Sequence, residues 1–152
     1  MKGQFEVQES LIVVFDTNAV LPLLVGATFR ARRLRELWQS RRFEVCITPQ
    51  TLAEVERVLT YAKVQENFGL TDADIQKVTA TLQSHARLLA GLYEGVTAIR
   101  ADPSDNIFLA AVLEAGADYL VTQDGHLRRL KYYHGTQIIS LAQFAMSLGI
   151  GS

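Results

Sequence analysis

Short apolar segments alternate with longer segments of helical periodicity along most of this 152-residue chain. Strands alternating with helices predict a mostly parallel sheet covered on both faces, an α/β three-layer α/β/α sandwich. No linker, repeat or low-complexity segment interrupts the pattern, so we expect a single domain over residues 1–152 with its core at about 11–146. The predicted strands are apolar and mostly rich in β-branched residues, as strands buried on both faces are; they are Leu11–Phe15, Phe43–Thr48, Gly95–Ile99, Asp118–Thr122 and Thr136–Ser140.

The predicted helices begin at recognisable caps. Thr48 is a plausible N-cap with Pro49 at the first helical position, and Thr71 opens a later helix in the same way. Pro22–Gly26 is expected to form a loop or a short helix. The longer helical segments are TFRARRLRELWQS, the segment with the apolar stripe Leu52, Val55, Leu59 and Ala62, GLTDADIQKVTATLQSHARLL, the segment from near Ser104 to Gly116, and the terminal LAQFAMSL.

Composition narrows the possible environments and partners. Hydrophobic residues make up 49% of the chain and charged residues 20%, which is typical of a folded globular protein. The net charge of −1 provides no global positive field, so a nucleic-acid partner would need a local basic patch and a metal. Cys46 is the only cysteine, which excludes an intramolecular disulfide and suits a reducing compartment. With no signal peptide or membrane span in the pattern, we expect a soluble cytoplasmic protein.

Five acidic residues follow the predicted strands closely. Asp16 comes directly after the first strand, and Asp124 lies just beyond the fourth. Asp102 and Asp105 lie in the turn that opens a helix, and Glu54 lies early in the helix after the second strand. Because the carboxyl ends of parallel strands meet at one edge of the sheet, the topology brings these acids to the edge where α/β proteins bind ligands.

Carboxylates gathered in this way repel one another. Two unit charges 4 Å apart repel by roughly 4 kcal/mol at an effective dielectric constant of 20, so some must be protonated or a cation must neutralise them. Oxygen ligands without nearby Cys or His suit Mg²⁺ or Mn²⁺. One or two such ions would polarise a phosphodiester and activate the attacking water.

The same residues carry a family resemblance. The segments VVFDTNAVL, ITPQTLAEVERVL, DPSDNIFLAAVLEAGADYLVTQD and IISLAQF occur in the order found in PIN domains. Over roughly residues 11–146 the chain resembles the VapC-like branch of that family, the toxin components of toxin–antitoxin pairs.

The resemblance implies a metal-dependent endoribonuclease. An RNA substrate, an antitoxin partner and, as is common among PIN domains, a homodimer would follow from it. By position in the family pattern, the implied metal-binding and catalytic residues are Asp16, Glu54, Asp105 and Asp124, with Asp102 as a supporting or alternative ligand. Asn18 and Thr122 occupy small polar positions that orient carboxylates or waters in this family.

Each acid also has a purely structural interpretation. Asp16 and Asp124 are suitable turn residues, and Asp105 could interact only with a helix dipole. Asp102 precedes Pro103 and is as readily structural as catalytic. Glu54 lies well off the apolar stripe of its helix, and the neighbouring Glu56 lies no farther from that stripe. Only the family spacing therefore favours Glu54 over Glu56.

Basic residues form two groups. Six of the fifteen lie within residues 30–42, and others follow Asp124 closely. Such runs usually form a solvated surface, and in a nuclease they contact the RNA backbone. The candidate RNA-binding residues are Arg30, Arg33, Arg41, Arg42, Arg128 and Lys131.

Two rival functions use similar residues. An aspartyl phosphatase would need a second aspartate two positions after Asp16, where the chain has Asn18. A non-catalytic PIN-like binding or assembly module would keep the acids and the metal without cutting RNA.

Overall fold

The described residues form a sheet of six strands with helices on both faces. The computed structural model describes residues 10–93 and 103–151, with the backbone alone for 103–105. The strand order is β3-β2-β1-β4-β6-β5, and among these described strands only β5 runs antiparallel to its neighbour. The strands are β1 (Leu11–Phe15), β2 (Phe43–Ile47), β3 (Arg87–Leu88), β4 (Tyr119–Val121), β5 (Tyr132–Tyr133) and β6 (Thr136–Ile139).

Helices connect the strands and cover both faces of the sheet. They are α1 (Thr17–Val25), α2 (Phe29–Gln39), α3 (Pro49–Leu59), α4 (Ala62–Phe68), α5 (Asp72–His85), α6 (Pro103–Ala115), α7 (Gly125–Leu130) and α8 (Leu141–Ser147). None of the described helices is long and apolar enough to cross a bilayer.

Each face of the sheet has its own apolar cluster. Alternate strand residues point to opposite faces. Val13 and Phe15 pack with Phe144 of α8 in the larger cluster, which also includes residues of α1, α2, α3 and α5. Val14 and Leu120 lie in the other cluster, with buried residues of α6 and with Leu127 of α7. The predicted α/β/α sandwich with a mostly parallel sheet is confirmed.

The helices after β2 and in the later part of the chain begin at the caps that the sequence predicts. Thr48 and Thr71 accept hydrogen bonds from the third residue of α3 and of α5, and both form capping boxes. The residue after β1 also begins a helix directly, because Asp16 caps α1. The segment expected as a loop or short helix around Pro22–Gly26 is therefore the second half of a nine-residue helix.

The predicted helix boundaries differ from the structure in two places. The helix expected over GLTDADIQKVTATLQSHARLL ends at His85, and Arg87–Leu88 pairs with β2 as the outer strand β3. Sheet pairing at the open side of β2 overrides the local helical pattern there. The segment with the stripe from Leu52 to Ala62 is divided into α3 and α4. The strand predicted at Gly95–Ile99 lies outside the described residues.

Candidate active site

Two neighbouring central strands, β1 and β4, end side by side at the carboxyl edge of the sheet. Beyond β1 the chain continues to β2 on one side, whereas beyond β4 it continues to β6 on the other side. A crevice at such a reversal of strand order is where open α/β sheets bind ligands. Asp16 and Thr122 are the first residues after these two strands.

The carboxylate of Asp16 is buried and held in place at this crevice. The residue is only 5% exposed. Its Oδ1 accepts a hydrogen bond from the backbone N–H of Ala19 at 2.9 Å, and its Oδ2 accepts one from the hydroxyl of Thr122. Its own backbone N–H donates to the carbonyl of Val121 at 3.0 Å. Asp16 therefore caps α1 and is anchored to β4 at the same time.

Thr122 connects Asp16 with Asp124. The fully buried Thr122 hydroxyl donates to Asp16 and accepts the backbone N–H of Asp124 at 2.9 Å. Asp124 in turn caps α7, because its Oδ1 accepts the backbone N–H groups of His126 at 2.7 Å and Leu127 at 3.1 Å. Its Oδ2 accepts no hydrogen bond from a described residue, so this oxygen is available to a ligand.

Among the described residues, no positively charged side chain compensates the charge of Asp16. Burial raises the pKa of Asp16 to about 6, against the hydrogen bonds from Thr122 and Ala19, and the charge of Asp124 raises it further. The ion pairs between described residues are Arg33–Glu36, Arg57–Glu54 and Arg87–Glu44, and none of them includes Asp16. A bound cation would stabilise the ionised form of this carboxyl.

The donor atoms at the crevice fit a hard divalent ion. Asp16 and Asp124 supply carboxylate oxygens, and the hydroxyl oxygen of Thr17, the residue after Asp16, is buried and has no hydrogen-bond partner among the described residues. Oxygen ligands of this kind suit Mg²⁺ or Mn²⁺. The described side chains contain no group of three or more His, Cys, Asp or Glu residues that would form a complete metal site. Asp16 and Asp124 are the two acids that the described side chains bring together at this crevice.

Glu54 has a different partner. It lies on α3 with a side chain only 14% exposed, and both carboxylate oxygens accept hydrogen bonds from Arg57, at 2.8 and 2.7 Å. Arg57 also contacts the hydroxyl of Tyr61 and lies against its ring, 5.5 Å from the centroid. In the structure the carboxylate of Glu54 is therefore engaged in an ion pair with Arg57.

A family model for the PIN domain matches residues 12–126, which include the first four strands of the sheet and the Asp16–Thr122–Asp124 arrangement. The chain belongs to the PIN-domain family. No curated protein matches it in sequence.

Solved structures resemble this PIN domain at low sequence identity. The PAE2754 protein from Pyrobaculum aerophilum is 16% identical with a TM-score of 0.56, and 95% of each chain is covered. VapBC2 from Rickettsia felis, bound to a DNA fragment from its promoter, is 15% identical with a TM-score of 0.56, covering 86% of this chain and 98% of that one. The Mycobacterium tuberculosis toxin VapC20, which cleaves the sarcin–ricin loop, is 18% identical over 82% of this chain and 98% of its own, with a TM-score of 0.48. At these identities the likeness concerns the fold.

The remaining predicted acidic and polar residues of the PIN domain are placed less completely. Asp105 lies in the first turn of α6, where the structure describes the backbone alone, and Asp102 lies outside the described residues. Asn18 is exposed at the second position of α1, two residues beyond Asp16. Their proposed roles therefore stay predictions.

The candidate RNA-binding residues lie at different places on the PIN domain. Arg128 lies in α7 and Lys131 directly after it, close to Asp124 in the chain. Arg41 and Arg42 precede β2 at the opposite edge of the sheet, and a five-residue strand separates the two edges by roughly 17 Å. Arg30 and Arg33 lie on α2, where Arg33 pairs with Glu36 at 3.0 Å.

Two residues, Arg57 and Tyr132, were not singled out from the sequence. Arg57 was not considered as a partner of Glu54, although a spacing of three residues on a helix indicates such a pair. Tyr132 lies on the outer strand β5, whose two residues are too short to show strand periodicity, and its side chain is 65% exposed. The available signal in the sequence was an aromatic residue directly after a basic segment.

Proposed function

We propose that this protein is a metal-dependent endoribonuclease that hydrolyses phosphodiester bonds of RNA with an activated water and without a covalent intermediate. Membership of the PIN-domain family supports the proposal. The observation that carries it is the buried Asp16, which lies at the reversal of strand order, beside Asp124, without a cationic partner among the described residues.

Each residue of the proposed site would have its own role. Asp16 and Asp124, with Asp105 and Glu54, would hold one or two Mg²⁺ or Mn²⁺ ions, which supply an activated water and neutralise the phosphate charge. Thr122 fixes the orientation of the Asp16 carboxylate through its hydroxyl. Asn18, exposed at the start of α1, would position a water or a phosphate oxygen. Because Oδ1 of Asp124 accepts both hydrogen bonds of the α7 cap, its Oδ2 would be the oxygen that binds the metal.

Cleavage of a mixed RNA pool tests the proposal. Wild-type protein, Asp16→Asn and the control Asp72→Asn should be compared in Mn²⁺, in Mg²⁺ and in EDTA; Asp72 is an exposed acid in the first turn of α5. We expect metal-dependent cleavage by the wild type and the control, and a loss of at least a hundredfold in Asp16→Asn. Equal cleavage by Asp16→Asn and wild type would contradict the site assignment.

We also propose that the chain is the toxin component of a toxin–antitoxin pair. Support comes from the sequence resemblance to the VapC-like branch and from the fold shared with VapBC2 of Rickettsia felis. Expression of the wild-type chain should arrest bacterial growth, expression of Asp16→Asn should not, and co-expression of the product of a small adjacent gene should restore growth. Unimpaired growth with soluble, active wild-type protein would contradict a toxin role.

A second candidate function is a binding or assembly module that holds metal without cutting RNA. The observation in its favour is the pairing of Glu54 with Arg57, which leaves that carboxylate engaged. Retained Mn²⁺ binding together with no cleavage of any RNA in the pool would favour the module over the nuclease.

A single domain over residues 1–152, a homodimer and a cytoplasmic location are also part of the proposal. Light scattering of the purified protein measures the oligomeric state directly. A mass equal to one 16.9 kDa chain would exclude the homodimer.

A further inference from the structure

A basic groove opens beside the candidate active site. It has a volume of about 560 Å³ and is lined by α7, β5, β6 and the start of α8. We call it the α7–β5 groove. Buried Ile138 lies in its lining, and its polar and charged residues are Arg128, Arg129, Lys131, Tyr132, Gln137 and Gln143.

The positive charge in this groove is available to a ligand. Arg128, Arg129 and Lys131 are all exposed, and none of them forms an ion pair with a described residue. The described lining contains no acidic residue. Because the whole chain carries a net charge of −1, three adjacent unpaired cations make the groove a local exception that favours an anionic partner.

The groove lies next to the candidate active site in the fold. Gly125, which lines it, is the residue after Asp124. Ile139, which also lines it, pairs with Val121 of β4, and its carbonyl accepts the backbone N–H of Thr122 at 2.9 Å. A polymer with one phosphate at Asp16 and Asp124 would therefore place a neighbouring nucleotide in the groove.

An aromatic side chain and two amides distinguish the groove from a simple anion site. Tyr132 is 65% exposed and lies directly opposite Gln137 in the β5–β6 pair. Exposed aromatic rings stack on bases that are not paired in a duplex, and amides hydrogen-bond base edges. Gln143 adds a second amide from α8.

The β5–β6 hairpin holds the backbone of Tyr132 in a fixed position. His134 and Gly135 form its two-residue turn with φ angles of 49° and 86°, as a type I′ turn requires. The hydroxyl of Thr136 donates to the carbonyl of Ala117 at 2.6 Å, and Ile138 N–H donates to the Lys131 carbonyl at 2.7 Å. A backbone fixed in this way loses little conformational entropy when a base stacks on the Tyr132 ring.

We infer that the α7–β5 groove binds the single-stranded RNA segment that flanks the cleaved phosphodiester, with the three cations contacting phosphates and Tyr132 stacking on a base. This inference rests on the proposed nuclease function and adds the binding surface on which the substrate lies.

Binding of a fluorescently labelled, mixed-sequence single-stranded RNA of twelve nucleotides in EDTA tests the inference without cleavage. The variant Arg128→Gln/Arg129→Gln/Lys131→Gln should be compared with Lys63→Gln/Lys77→Gln/Arg87→Gln, which removes the same charge from exposed residues of α4, α5 and β3. We expect the groove variant to lose affinity on the order of tenfold or more. The slope of log K against log salt concentration should become less negative by about 2, since each of the three lost phosphate contacts contributes about 0.7 in single strands.

The stacking contact has its own pair of variants. Tyr132→Ala should weaken binding by on the order of tenfold, whereas Tyr132→Phe, which keeps the ring, should bind within about twofold of wild type. Circular dichroism and thermal melting confirm that each variant is folded.

The outcomes separate the inference from the proposed function. If the wild type cleaves RNA and the groove variant binds RNA as well as the wild type does, the inference about the groove is overturned while the nuclease stands. Equal losses of affinity in both triple variants would have the same meaning. Polyglutamate is an acidic polymer without bases. If the groove variant loses polyglutamate binding as strongly as RNA binding, and Tyr132→Ala has no effect on RNA binding, the inference would be overturned in favour of an acidic protein partner. Absence of both cleavage and RNA binding in the wild type would overturn the nuclease, and the groove with it.

Discussion

The hydroxyl of Thr122 donates a hydrogen bond to the carboxylate of Asp16, although 106 residues separate them in the chain. The same oxygen accepts the backbone N–H of Asp124. One buried hydroxyl therefore fixes the orientation of one acid and the backbone of the other. Since β1 and β4 are adjacent and parallel, the ends of these strands bring the three residues together without any local sequence signal.

Removal of this hydroxyl tests the bridge. Thr122→Val keeps the side-chain shape but leaves the Asp124 N–H and one Asp16 oxygen without a partner. We expect a loss of about 1–3 kcal/mol in the free energy of unfolding, which is typical when a buried polar group is left unsatisfied. Urea denaturation measures the change. The control Thr122→Ser retains the hydroxyl and should lose less; equal losses would show that the hydrogen bonds are not responsible.

The raised pKa of Asp16 predicts how stability depends on pH in EDTA. The folded protein holds this proton up to about pH 6, whereas the unfolded chain releases it near 3.8. The favourable contribution is therefore fully present below pH 3.8 and is lost as the pH rises through about 6. Two pKa units correspond to roughly 3 kcal/mol.

Asp16→Asn isolates this contribution. The pKa of Asp74 is lowered by its hydrogen bonds with Thr71 and gives an opposite slope, but it does so in both proteins. The difference in unfolding free energy between Asp16→Asn and wild type should therefore grow in favour of the variant from pH 4 to pH 6 and then level off. A difference independent of pH would contradict the raised pKa.

Divalent metal should stabilise the folded protein at pH 7. A ligand at one hundred times its Kd adds about 2.7 kcal/mol to the free energy of unfolding. We expect Mn²⁺ to raise the Tm of the wild type and of Asp72→Asn, and to leave the Tm of Asp16→Asn almost unchanged. A calorimetric scan measures each shift. Equal shifts in all three proteins would place the metal elsewhere.

The pairing of Glu54 with Arg57 predicts an effect on metal affinity. If Glu54 becomes a ligand, its carboxylate must leave Arg57, so Arg57→Met should increase the affinity for Mn²⁺ several-fold. Isothermal titration measures the Kd. Arg33→Met is a matched control, because it breaks the other pair with the same three-residue spacing, Arg33–Glu36. An increase in both variants would indicate a general charge effect, and no increase in Arg57→Met would indicate that Glu54 does not bind the metal.

The sequence predicted much of the fold because each element carries its own local signal. The apolar runs that became β1 and β2, and the caps at Thr48 and Thr71, depend on neighbours within four residues. β3 and β5 were not predicted, because each is a two-residue strand that exists only where another strand offers hydrogen bonds. Local periodicity contains no information about such pairing.

The candidate site divides in the same way. By itself, the sequence determined that acids follow the strands, that Asp16 comes directly after the first strand, that Thr122 lies at the end of the fourth predicted strand, and that basic residues follow Asp124. Only the tertiary structure decided which of them meet: it joined Asp16, Thr122 and Asp124, paired Glu54 with Arg57, and placed Arg41 and Arg42 at the opposite edge. The physical reason is that strand order and helix packing set distances between residues far apart in the chain, whereas the residue types alone set only their chemistry.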